Sequence, residues 1–380
     1  MNPFKQTIEP MNIVITGADG FIGKTLKLRL SEMGHSDVID ITRGTTEAGR
    51  RSALMKADCV FHLAGVNRPV DVAEFSSGNA GLTQSIGATL TEAGRKAMLV
   101  LTSSTQAEAD NPYGASKRGA EDAVFAYGKA TGAPTRIVRL PNVFGKWARP
   151  NYNSAIATFC HNIARGIPIT VNDPSAPLHI VHVDDVALAL IAELEREPLA
   201  DPFVAVSPVY ETTVGAVAGA IYGFKADRQA LEIARVGTGL IRALYATYIS
   251  YLPPPDFAYD VVKHSDPRGD FVEMLRTQDS GQFSYFTSHP GITRGEHYHH
   301  SKTEKFLVIQ GTAHFGFRHI VSGETHELVT QGGEPQIVDT VPGWTHNITN
   351  IGEDQLIVML WANEKFDRQR PDTVALKVAQ

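Results

Sequence analysis

The sequence has few cysteines and no long apolar run. Its 380 residues include two cysteines, Cys59 and Cys160, both in apolar surroundings. Two such thiols give no disulfide framework, so we expect a reducing compartment. No apolar run reaches the roughly 18 residues of a membrane span, and residues 1–10 lack the apolar centre of a signal peptide. We therefore expect a cytoplasmic protein without a membrane partner, in which residues 1–10 form an extension before the first strand.

Basic stretches are missing as well. Lysine and arginine number 35 against 41 acidic residues, which gives a net charge of −6 and a pI of about 6.2. Because no basic run could follow a nucleic-acid backbone, we expect no nucleic-acid partner. The length exceeds that of one ordinary hydrophobic core, and we predict two domains, residues 11–250 and 251–380.

The stretch Asn12–Gly23, NIVITGADGFIG, combines a short apolar run with three glycines. Ile13–Ile15 predict a buried strand, followed by a tight turn and the start of a helix. Gly17, Gly20 and Gly23 would permit the turn, let backbone approach a pyrophosphate and pack the helix against the strand. The phosphates would lie at the helix N-terminus, where free N–H groups and the helix dipole favour anions. The spacing alone also fits an ordinary glycine turn between a strand and a helix.

Strands and helices alternate after this stretch. Further strands are predicted at Val38–Thr42, Cys59–Leu63, Ala97–Thr102 and Thr135–Arg139, with helical stretches between them. Strands separated in this way form βαβ units, so we predict an α/β Rossmann-type parallel sheet.

The end of the second predicted strand bears on the choice of cofactor. A carboxylate at that place would accept hydrogen bonds from the ribose 2′-OH of NAD. Here Thr42 and Arg43 hold the place, and an arginine can pair with a 2′-phosphate, so NADPH is favoured. Two readings weigh against this choice: Asp40 lies nearby, and Arg43 could be a solvated loop charge.

The segment after the fourth strand, LTSSTQAEADNPYGASK, places Tyr113 and Lys117 four residues apart. That spacing puts both side chains on one helix face, and the Asn-Pro pair before the tyrosine is suited to begin the helix. A phenol titrates near pH 10, and we expect the neighbouring ammonium to lower that pKa. With a hydroxyl from Ser104, or Ser103, to hold a carbonyl oxygen, the set predicts proton delivery in a carbonyl reduction. The Tyr-x-x-x-Lys pattern alone also fits a surface helix.

These features together resemble the extended short-chain dehydrogenase/reductase family, whose members of this kind act on nucleotide sugars. The resemblance is carried by Thr16–Gly23, by the HLAG run His62–Gly65, by the Ser-Tyr-Lys set and by VDDVA at Val183–Ala187.

The resemblance implies roles for individual residues. Ser104, Tyr113 and Lys117 would be catalytic, Asn142 would contact the sugar diphosphate, and Arg149 would bind the substrate. The implied cofactor contacts are Gly17, Gly20, Phe21, Ile22, Gly23, Arg43, Leu63, Ala64, Gly65, Tyr113 and Lys117.

The sequence pattern changes at Pro253–Pro255, which is expected to form an extended linker. Short strands are predicted beyond it at Asp270–Leu275, Gln282–Thr287, Lys305–Gln310, Thr312–His319 and Gln355–Trp361. Turns rich in glycine, proline and aspartate separate them, which is typical of an antiparallel barrel or jelly roll.

Histidines concentrate in this second part. His297 and His299 alternate, so on a strand they would share one face, and Glu304 would follow on the neighbouring strand. The spacing G-x5-H-x-H-x4-E-x6-G resembles the first motif of the cupin family, and PGWTHNITN resembles the second less closely. The resemblance implies a divalent metal site at His297, His299, Glu304 and His346, with zinc expected for a non-redox reaction. Surface histidines, or a cupin without metal, are the alternatives.

A second resemblance in this part is to sugar-nucleotide 3,5-epimerases, which are also cupins. It is carried by D-x-R-G-x-F at Asp266–Phe271 and R-G-x-H at Arg294–His297, and it implies that Arg268 and Arg294 bind the substrate.

The identity of the epimerase base stays open. In the 3,5-epimerases the histidine of R-G-x-H is the general base, but here the matching His297 also occupies a metal-ligand position. A coordinated nitrogen has no lone pair left for a proton. Lys302, Glu296 and a metal-bound hydroxide are the remaining candidates.

The whole chain from Met11 resembles the family of bifunctional capsule-synthesis enzymes of the CapF type, on NPYGASK, RLPNVFGKWARPNYNSAIATFC, SYLPPPDF and GEHYHHSKTEKFLV. The resemblance implies C3 epimerisation of a UDP-2-acetamido-2,6-dideoxy-hexos-4-ulose in the cupin. Reduction of the C4 ketone by NADPH would then give UDP-N-acetyl-6-deoxy-L-talosamine, on the route to UDP-N-acetyl-L-fucosamine for capsule or O-antigen. It also implies a homodimer.

Three alternatives remain at this stage. The cupin could be a sugar-binding or dimerising module beside a reductase, or an iron dioxygenase of small molecules. The whole chain could also be a sensor of NADP(H).

Overall fold

A computed structural model describes residues 11–197, 201–257, 259, 261–299, 302–369 and 371–379. The extension expected at residues 1–10 lies outside them. The chain divides into two compact units: the first runs through Ile221 and includes Ala243–Leu252, and the second contains Tyr222–Arg242 and the residues from Pro253 onward. The domains 11–250 and 251–380 stay a prediction.

A five-stranded parallel sheet forms the centre of the first unit. Its strands are β1 (Ile13–Thr16), β2 (Val38–Ile41), β3 (Cys59–His62), β4 (Met98–Ser104) and β5 (Thr135–Leu140). They lie in the order β2-β1-β3-β4-β5, and every neighbouring pair is parallel. The predicted Rossmann-type sheet is therefore confirmed.

Seven helices accompany this sheet: α1 (Phe21–Glu32), α2 (Glu47–Leu54), α3 (Ala73–Phe75), α4 (Leu82–Ala93), α5 (Pro112–Thr131), α6 (Ala155–Ala164) and α7 (Val183–Ala192). A π-helix, Ser76–Gly81, joins α3 to α4, and a 3₁₀ helix, Thr105–Glu108, precedes α5. A smaller sheet has the order β6-β7-β8, with β6 (Asn142–Phe144), β7 (Pro177–His182) and β8 (Tyr210–Thr213). Beyond it follow α8 (Val214–Gln229), β9 (Glu232–Ile233) and α9 (Gly239–Ser250).

Apolar side chains cover both faces of the parallel sheet. Ile13 and Ile15 belong to one buried cluster, and Val14, between them, belongs to another. The apolar run Ile13–Ile15 of β1 fits a strand whose two faces are both buried. Ligands of such sheets bind beyond the carboxyl ends of the strands, where the strand order reverses. That point lies between β1 and β3.

The second unit is a sandwich of two mainly antiparallel sheets. Its strands are β10 (Lys263–Asp266), β11 (Gly269–Thr277), β12 (Gln282–Ser288), β13 (Thr293–Tyr298), β14 (Glu304–Gln310), β15 (Thr312–His319), β16 (Thr325–Gln331), β17 (Ile337–Asp339), β18 (Trp344–Asn350), β19 (Leu356–Ala362) and β20 (Val374–Ala375). One sheet has the order β10-β11-β12-β19-β14-β17, with β9 beside β11, and the other has the order β16-β15-β18-β13-β20.

One apolar core lies between these two sheets. Phe306 and Val308 enter it from the first sheet, and Phe315 and Ile348 enter it from the second. The prediction of an all-β second part with jelly-roll character is confirmed. The expected extended linker is wrong in part, because Pro254–Phe257 forms a 3₁₀ helix, a conformation that the fixed φ of proline permits.

Two expectations about the whole chain can be compared with the structure. Cys59 and Cys160 are buried and free, as expected for a chain without a disulfide framework. Over the described ranges, no helix combines the length and the apolar character that crossing a membrane requires.

Candidate active site and metal centre

The glycine turn after β1 has no room for side chains. A Cβ built at Gly17 would lie 2.9 Å from the amide nitrogen of Ala64, and one at Gly23 would lie 2.3 Å from the carbonyl oxygen of Gly17. Gly17 also has a φ of +72°, which disfavours other residues. The turn therefore brings β1, α1 and the loop after β3 close together, as a pyrophosphate cradle requires.

The N-terminus of α1 follows this turn and starts at Phe21. Gly20 precedes it without a side-chain cap, and no acidic residue occupies the first turn, which contains Ile22 and Gly23. The first N–H groups of the helix therefore remain available to an anion. The structure thus brings these predicted cofactor contacts together at one helix end.

The end of β2 carries the predicted NADPH-selecting residue. Arg43 is exposed in the loop after β2, and no ion pair is recorded for it within the described part of the chain. Asp40, the competing carboxylate, pairs instead with Lys27 of α1. At the end of β2, the guanidinium of Arg43 is therefore available to bind a ligand, whereas the carboxylate of Asp40 is already paired with Lys27.

The loop after β3 forms the other side of the cradle. The Leu63 amide donates to the Thr16 carbonyl at 3.2 Å, and the Ala64 amide donates to the Thr16 hydroxyl at 3.2 Å. A Cβ at Gly65 would lie 3.6 Å from Nζ of Lys117. The cofactor loop and the catalytic lysine are therefore neighbours.

Helix α5 presents the predicted catalytic residues. Asn111 caps the helix by accepting from the Gly114 amide at 2.8 Å, with proline in the first turn, as the sequence predicts. Ser104, at the end of β4, lies near enough to Tyr113 to act on the pKa of its phenol. Ser103 donates instead to the buried Glu121 at 2.5 Å. Of the two candidate serines, Ser104 is therefore the one beside the tyrosine.

Burial sets the charge states of this set. Burial raises the pKa of Tyr113, and the nearby Ser104 hydroxyl opposes that rise. The expected lowering of the tyrosine pKa is wrong for the protein alone, because burial of the phenol outweighs it. Nζ of Lys117 donates to the Thr102 carbonyl at 3.1 Å. Burial lowers the pKa of Lys117 to about 8, against the attraction of the Glu121 carboxylate.

A buried histidine links β1 to α4. Nδ1 of His62 lies 2.7 Å from the Thr16 hydroxyl, and Nε2 lies 3.0 Å from the Thr83 hydroxyl. Because Thr83 donates to the Asn79 carbonyl, it accepts from Nε2–H, and Nδ1 accepts from Thr16. Burial, with the charge of Lys117, lowers the pKa of His62 to about 3, so the ring stays neutral.

Asn79 of the π-helix joins the cofactor loop to the catalytic helix. Its side chain accepts from the Val66 amide at 2.9 Å and donates to the Ser116 hydroxyl at 2.9 Å, which in turn donates to the Tyr113 carbonyl. The sequence analysis did not select Asn79, although π-helical turns are frequent at functional sites. No sequence pattern used above predicts such a turn.

The predicted substrate residues lie after β5. Asn142 begins β6 and is exposed, and Arg149 is exposed in the loop that leads to α6. The Arg149 guanidinium lies 5.3 Å from the centre of the Tyr152 ring, and Arg68, from the loop after β3, lies 5.9 Å from it. Arg68 also donates to Asn153 at 3.2 Å. Sequence reasoning missed Arg68 because it is 81 positions from Arg149.

The loop that carries Arg149 has a strained backbone. Trp147 and Asn151 have φ values of +70° and +54°, which non-glycine residues rarely adopt. Lys146 pairs at 2.5 Å with Asp184, at the start of α7. Such strain persists where the surroundings fix it, and it concentrates at ligand-binding loops.

The predicted metal ligands come together in the second unit. One ligand atom from each of His297, His299, Glu304 and His346 lies within 4.8 Å of the others. His297 and His346 are paired across β13 and β18. Glu304 was expected on a strand beside β13, and this is wrong: it begins β14, which belongs to the facing sheet.

The protonation states of this cluster suit a cation. Burial lowers the pKa of His297, and it lowers the pKa of His346 to about 3. Burial would raise the pKa of Glu304, but hydrogen bonding to His299 and the charge of Lys302 bring it to about 2. Neutral imidazoles and a charged carboxylate are the forms that bind metals. Nε2 of His346 faces the Glu304 carboxylate at 3.7 Å, so the donor set fits a metal.

The two predicted substrate arginines of the second unit differ in environment. Arg294 packs 5.2 Å from the centre of the buried Phe286 ring and donates to the Thr287 carbonyl at 2.9 Å. Burial lowers its pKa, and the charge of Arg268 adds to that effect. Arg268 itself is exposed between β10 and β11 and pairs with Asp266 at 2.5 Å.

A bulge in β13 explains how Arg294 and the metal ligands share one side of the strand. The register shifts between Gly295 and His297, and Gly295 and Glu296 have φ values of +93° and +61°. Residues three apart on a regular strand face opposite sides, and the extra residue of a bulge corrects this. Both carboxylate oxygens of Glu296 are used, by Asn347 and the Val378 amide. Glu296 therefore links β13 to β18 and to the residues that follow β20.

Family models match both parts of the chain. Residues 13–202 match the NAD dependent epimerase/dehydratase family. Residues 264–374 match the polysaccharide biosynthesis C-terminal domain.

Individual relatives extend over nearly the whole chain. The chain is 52% identical over 370 residues to the UDP-2-acetamido-2,6-beta-L-arabino-hexul-4-ose reductase of Pseudomonas aeruginosa, covering 97% of the chain and 100% of the relative. A crystal structure of the capsular polysaccharide assembling protein CapF from Staphylococcus aureus matches with 42% identity and a TM-score of 0.90, over 97% of the chain and 100% of that protein.

A more distant structure matches only part of the chain. The UDP-N-acetylglucosamine 4-epimerase from Methanobrevibacter ruminantium M1 has 18% identity and a TM-score of 0.54, over 64% of the chain and 99% of that protein. At this identity the match shows the fold alone.

Proposed function

The chain belongs to the NAD-dependent epimerase/dehydratase family, in the CapF type that adds a polysaccharide biosynthesis C-terminal domain, and from this we propose that it is an NADPH-dependent reductase of a UDP-linked 4-ketosugar with a second, 3-epimerase activity. It is a homologue of a UDP-sugar 4-ketoreductase. The observation that carries the proposal is the grouping of Ser104 with Tyr113, and of Lys117 with the loop beside the glycine cradle.

The reductase residues divide the work at the C4 carbonyl. Ser104 holds the carbonyl oxygen, and Tyr113 donates its proton to that oxygen. The Lys117 ammonium stabilises the phenolate that remains. NADPH, when bound, supplies the hydride. Gly17, Gly20 and the start of α1 would hold its pyrophosphate, and Arg43 would pair with its 2′-phosphate.

Basic residues after β3 and β6 favour a diphosphate ligand. Arg149 and Arg68 lie beside the Tyr152 ring, and among the described residues no carboxylate pairs with either guanidinium. Planar guanidiniums suit phosphate oxygens. We assign Arg149, Arg68 and Asn142 to the UDP moiety of the substrate.

The second domain would act one carbon away from the ketone. A C3 proton is acidified by the neighbouring C4 carbonyl, so its removal builds negative charge on the carbonyl oxygen. A cation held by His297, His299, Glu304 and His346, with zinc as the preferred metal, would supply electrostatic stabilisation of that charge. Arg268 and Arg294 would bind the sugar nucleotide, and Lys302 and Glu296 remain candidate bases.

Together, the two activities form a sequence. The substrate would be UDP-2-acetamido-2,6-dideoxy-hexos-4-ulose, epimerised at C3 and then reduced at C4 to UDP-N-acetyl-6-deoxy-L-talosamine. The product would serve the route to UDP-N-acetyl-L-fucosamine for capsule or O-antigen. Reduction removes the carbonyl that permits epimerisation, so it fixes the new configuration at C3. We place the enzyme in the cytoplasm, as a homodimer.

The test uses the 4-ketosugar nucleotide in D2O. Tyr113→Phe should lower the rate of NADPH oxidation by about 10²–10⁴-fold, measured at 340 nm, and should still incorporate deuterium at C3, located by NMR. His297→Ala should fail to incorporate deuterium at C3 and should lose metal on elemental analysis. If Tyr113→Phe oxidises NADPH at the wild-type rate, the assignment of the reductase site is wrong. If even the wild type does not exchange the C3 proton without NADPH, the second domain is a sugar-binding or dimerising module.

A further inference from the structure

Residues 371–379, termed the strap, run beside β13, the strand that carries the proposed metal ligand His297. Within the strap, β20 pairs with β13, so that Ala375 lies opposite His297 and Val374 lies opposite Tyr298. The Leu376 amide donates to the Glu296 carbonyl at 2.9 Å. The strap therefore fixes the backbone of β13 at the position of a metal ligand.

The strap also fixes a ligand ring directly. Nδ1 of His299 lies 2.5 Å from the carbonyl oxygen of Asp372, which can only accept, so Nδ1 carries the proton. The other ring nitrogen, Nε2, faces the cluster, 3.2 Å from the Glu304 carboxylate, and is the nitrogen that would coordinate a metal. The Asp372 carboxylate accepts from the Lys302 amide at 2.8 Å. Metal-binding histidines commonly donate their second nitrogen in this way, which fixes the tautomer and the ring orientation.

The far end of the strap is held by two charged side chains. Arg318 of β15 donates to the carbonyls of Val378 at 2.8 Å and Lys377 at 2.5 Å. Glu296 accepts from the Val378 amide at 2.7 Å. Both anchors belong to the five-stranded sheet that carries His297 and His346.

The attachment of the strap depends on hydrogen bonds rather than on burial. Val374, Ala375, Leu376 and Lys377 are all exposed. Segments with few buried apolar contacts open at lower free energy than a core. Loss of a few polar anchors should therefore release the strap without unfolding the sandwich.

We propose that the strap is a positioning element of the metal centre, which sets the tautomer and orientation of His299 and the register of β13. This inference rests on the metal site of the proposed function. Arg318 and Asp372 act through the strap and are positioning residues. Removal of such outer partners commonly weakens metal affinity by about 10–100-fold.

The experiment compares the full-length wild type with the double variant Arg318→Ala/Asp372→Ala. A matched control is Arg235→Ala, which removes an exposed ion pair with Asp279 in the same unit without touching the strap. Zinc affinity is measured by competition with a chromophoric chelator, and the coordination geometry by the visible spectrum of the Co²⁺-loaded protein. Circular dichroism and cooperative thermal unfolding confirm that each variant is folded.

We expect the double variant to bind zinc about 10–100-fold more weakly than the wild type and the control, with an altered Co²⁺ spectrum. Equal zinc affinity and an unchanged spectrum in the double variant would overturn the role of the strap while leaving the metal site intact. A wild type that binds neither metal would overturn the metal site, and the role of the strap with it.

Discussion

Lys117 lies between two influences on its charge. Burial favours its neutral form, and Glu121, one helical turn later on α5, favours the ammonium. Glu121 is itself buried and is held by Ser103 and by both ends of the Arg139 guanidinium. The charge of Lys117 is therefore maintained by a buried carboxylate on the same helix.

This arrangement predicts the alkaline limb of the pH–rate profile. The ammonium is present below the folded pKa of about 8 and is lost as pH rises through it, so ketone reduction should fall above about pH 8. Glu121→Gln removes the attraction for the charged form, which lowers the pKa of Lys117 and moves the limb to lower pH by about one unit. The measurement is kcat for NADPH oxidation between pH 6 and 10. Glu92→Gln, at an exposed ion pair with Arg51, is the control, and an unmoved limb in Glu121→Gln would contradict this role.

Among single residues, the sequence predicted those candidate site residues that lie within short motifs. Tyr113 and Lys117 are linked by helical spacing, and the metal ligands by two short segments. Asn79 and Arg68 reach the site only through the fold, because Asn79 acts from a π-helix and Arg68 from a loop far from Arg149 in sequence. The choice between Ser103 and Ser104 also needed the structure, since it depends on the position of Glu121.

The glycine turn after β1 allows a prediction at the scale of an element. Gly23→Ala would place a methyl group 2.3 Å from the Gly17 carbonyl, so the turn must shift. We expect destabilisation of about 1–3 kcal/mol and NADPH affinity lowered by at least about tenfold. Thermal unfolding and cofactor fluorescence titration measure the two effects.

A glycine in another helix provides the matched control. Gly219 in α8 has no atom within 4 Å of a built Cβ, and alanine is the better helix former. Gly219→Ala should therefore leave cofactor affinity unchanged and should not lower stability. Similar losses of stability and NADPH affinity in both variants would contradict the requirement for glycine in the turn after β1.

Strands could be predicted from the sequence where a single hydrophobic pattern runs through the segment. The apolar strands of the parallel sheet, and Thr312–His319, are found as predicted. The bulge at Gly295–Glu296 was not, because a positive φ at Glu296 leaves no compositional signal. The position of Glu304 was also missed: a five-residue separation does not reveal that the chain crosses to the facing sheet. At Pro254–Phe257, prolines indicated the end of a helix but not the 3₁₀ helix that follows it.

The whole molecule is expected to pair through its second unit. On the outer side of the seven-stranded sheet, Ile337, Leu307, Met359 and Tyr285 are aligned across β17, β14, β19 and β12. Ile337 is 53% exposed, although the outer face of an antiparallel sheet is usually polar. Twofold pairing would cover this apolar row.

Light scattering tests the assembly. The wild type should have twice the chain mass of 41.3 kDa, and Ile337→Lys/Leu307→Lys should shift it toward the monomer because two buried charges would face each other. Val329→Lys, at an exposed position of the five-stranded sheet, should remain dimeric. A monomeric wild type would refute the pairing.

At the scale of the whole chain, the sequence predicted two architectures in the observed order, because the change from helical to alternating patterns is sharp. It did not indicate that Tyr222–Arg242 belongs with the second unit. That grouping depends on β9, a two-residue strand paired with β11, and on an ion pair between Glu232 and Lys365. Contacts so distant in sequence leave no local pattern.

The candidate metal ligands span both layers of the sandwich. His297 and His346 belong to one sheet, and Glu304 opens a strand of the other. An ion shared by these groups would be a cross-link between layers in a protein whose two cysteines are free and buried. The free energy of unfolding of this unit would then rise by RT ln(1 + [metal]/Kd) with the concentration of free metal, and its melting temperature would rise with it. Metal supply would thus govern the lifetime of the fold as well as its chemistry.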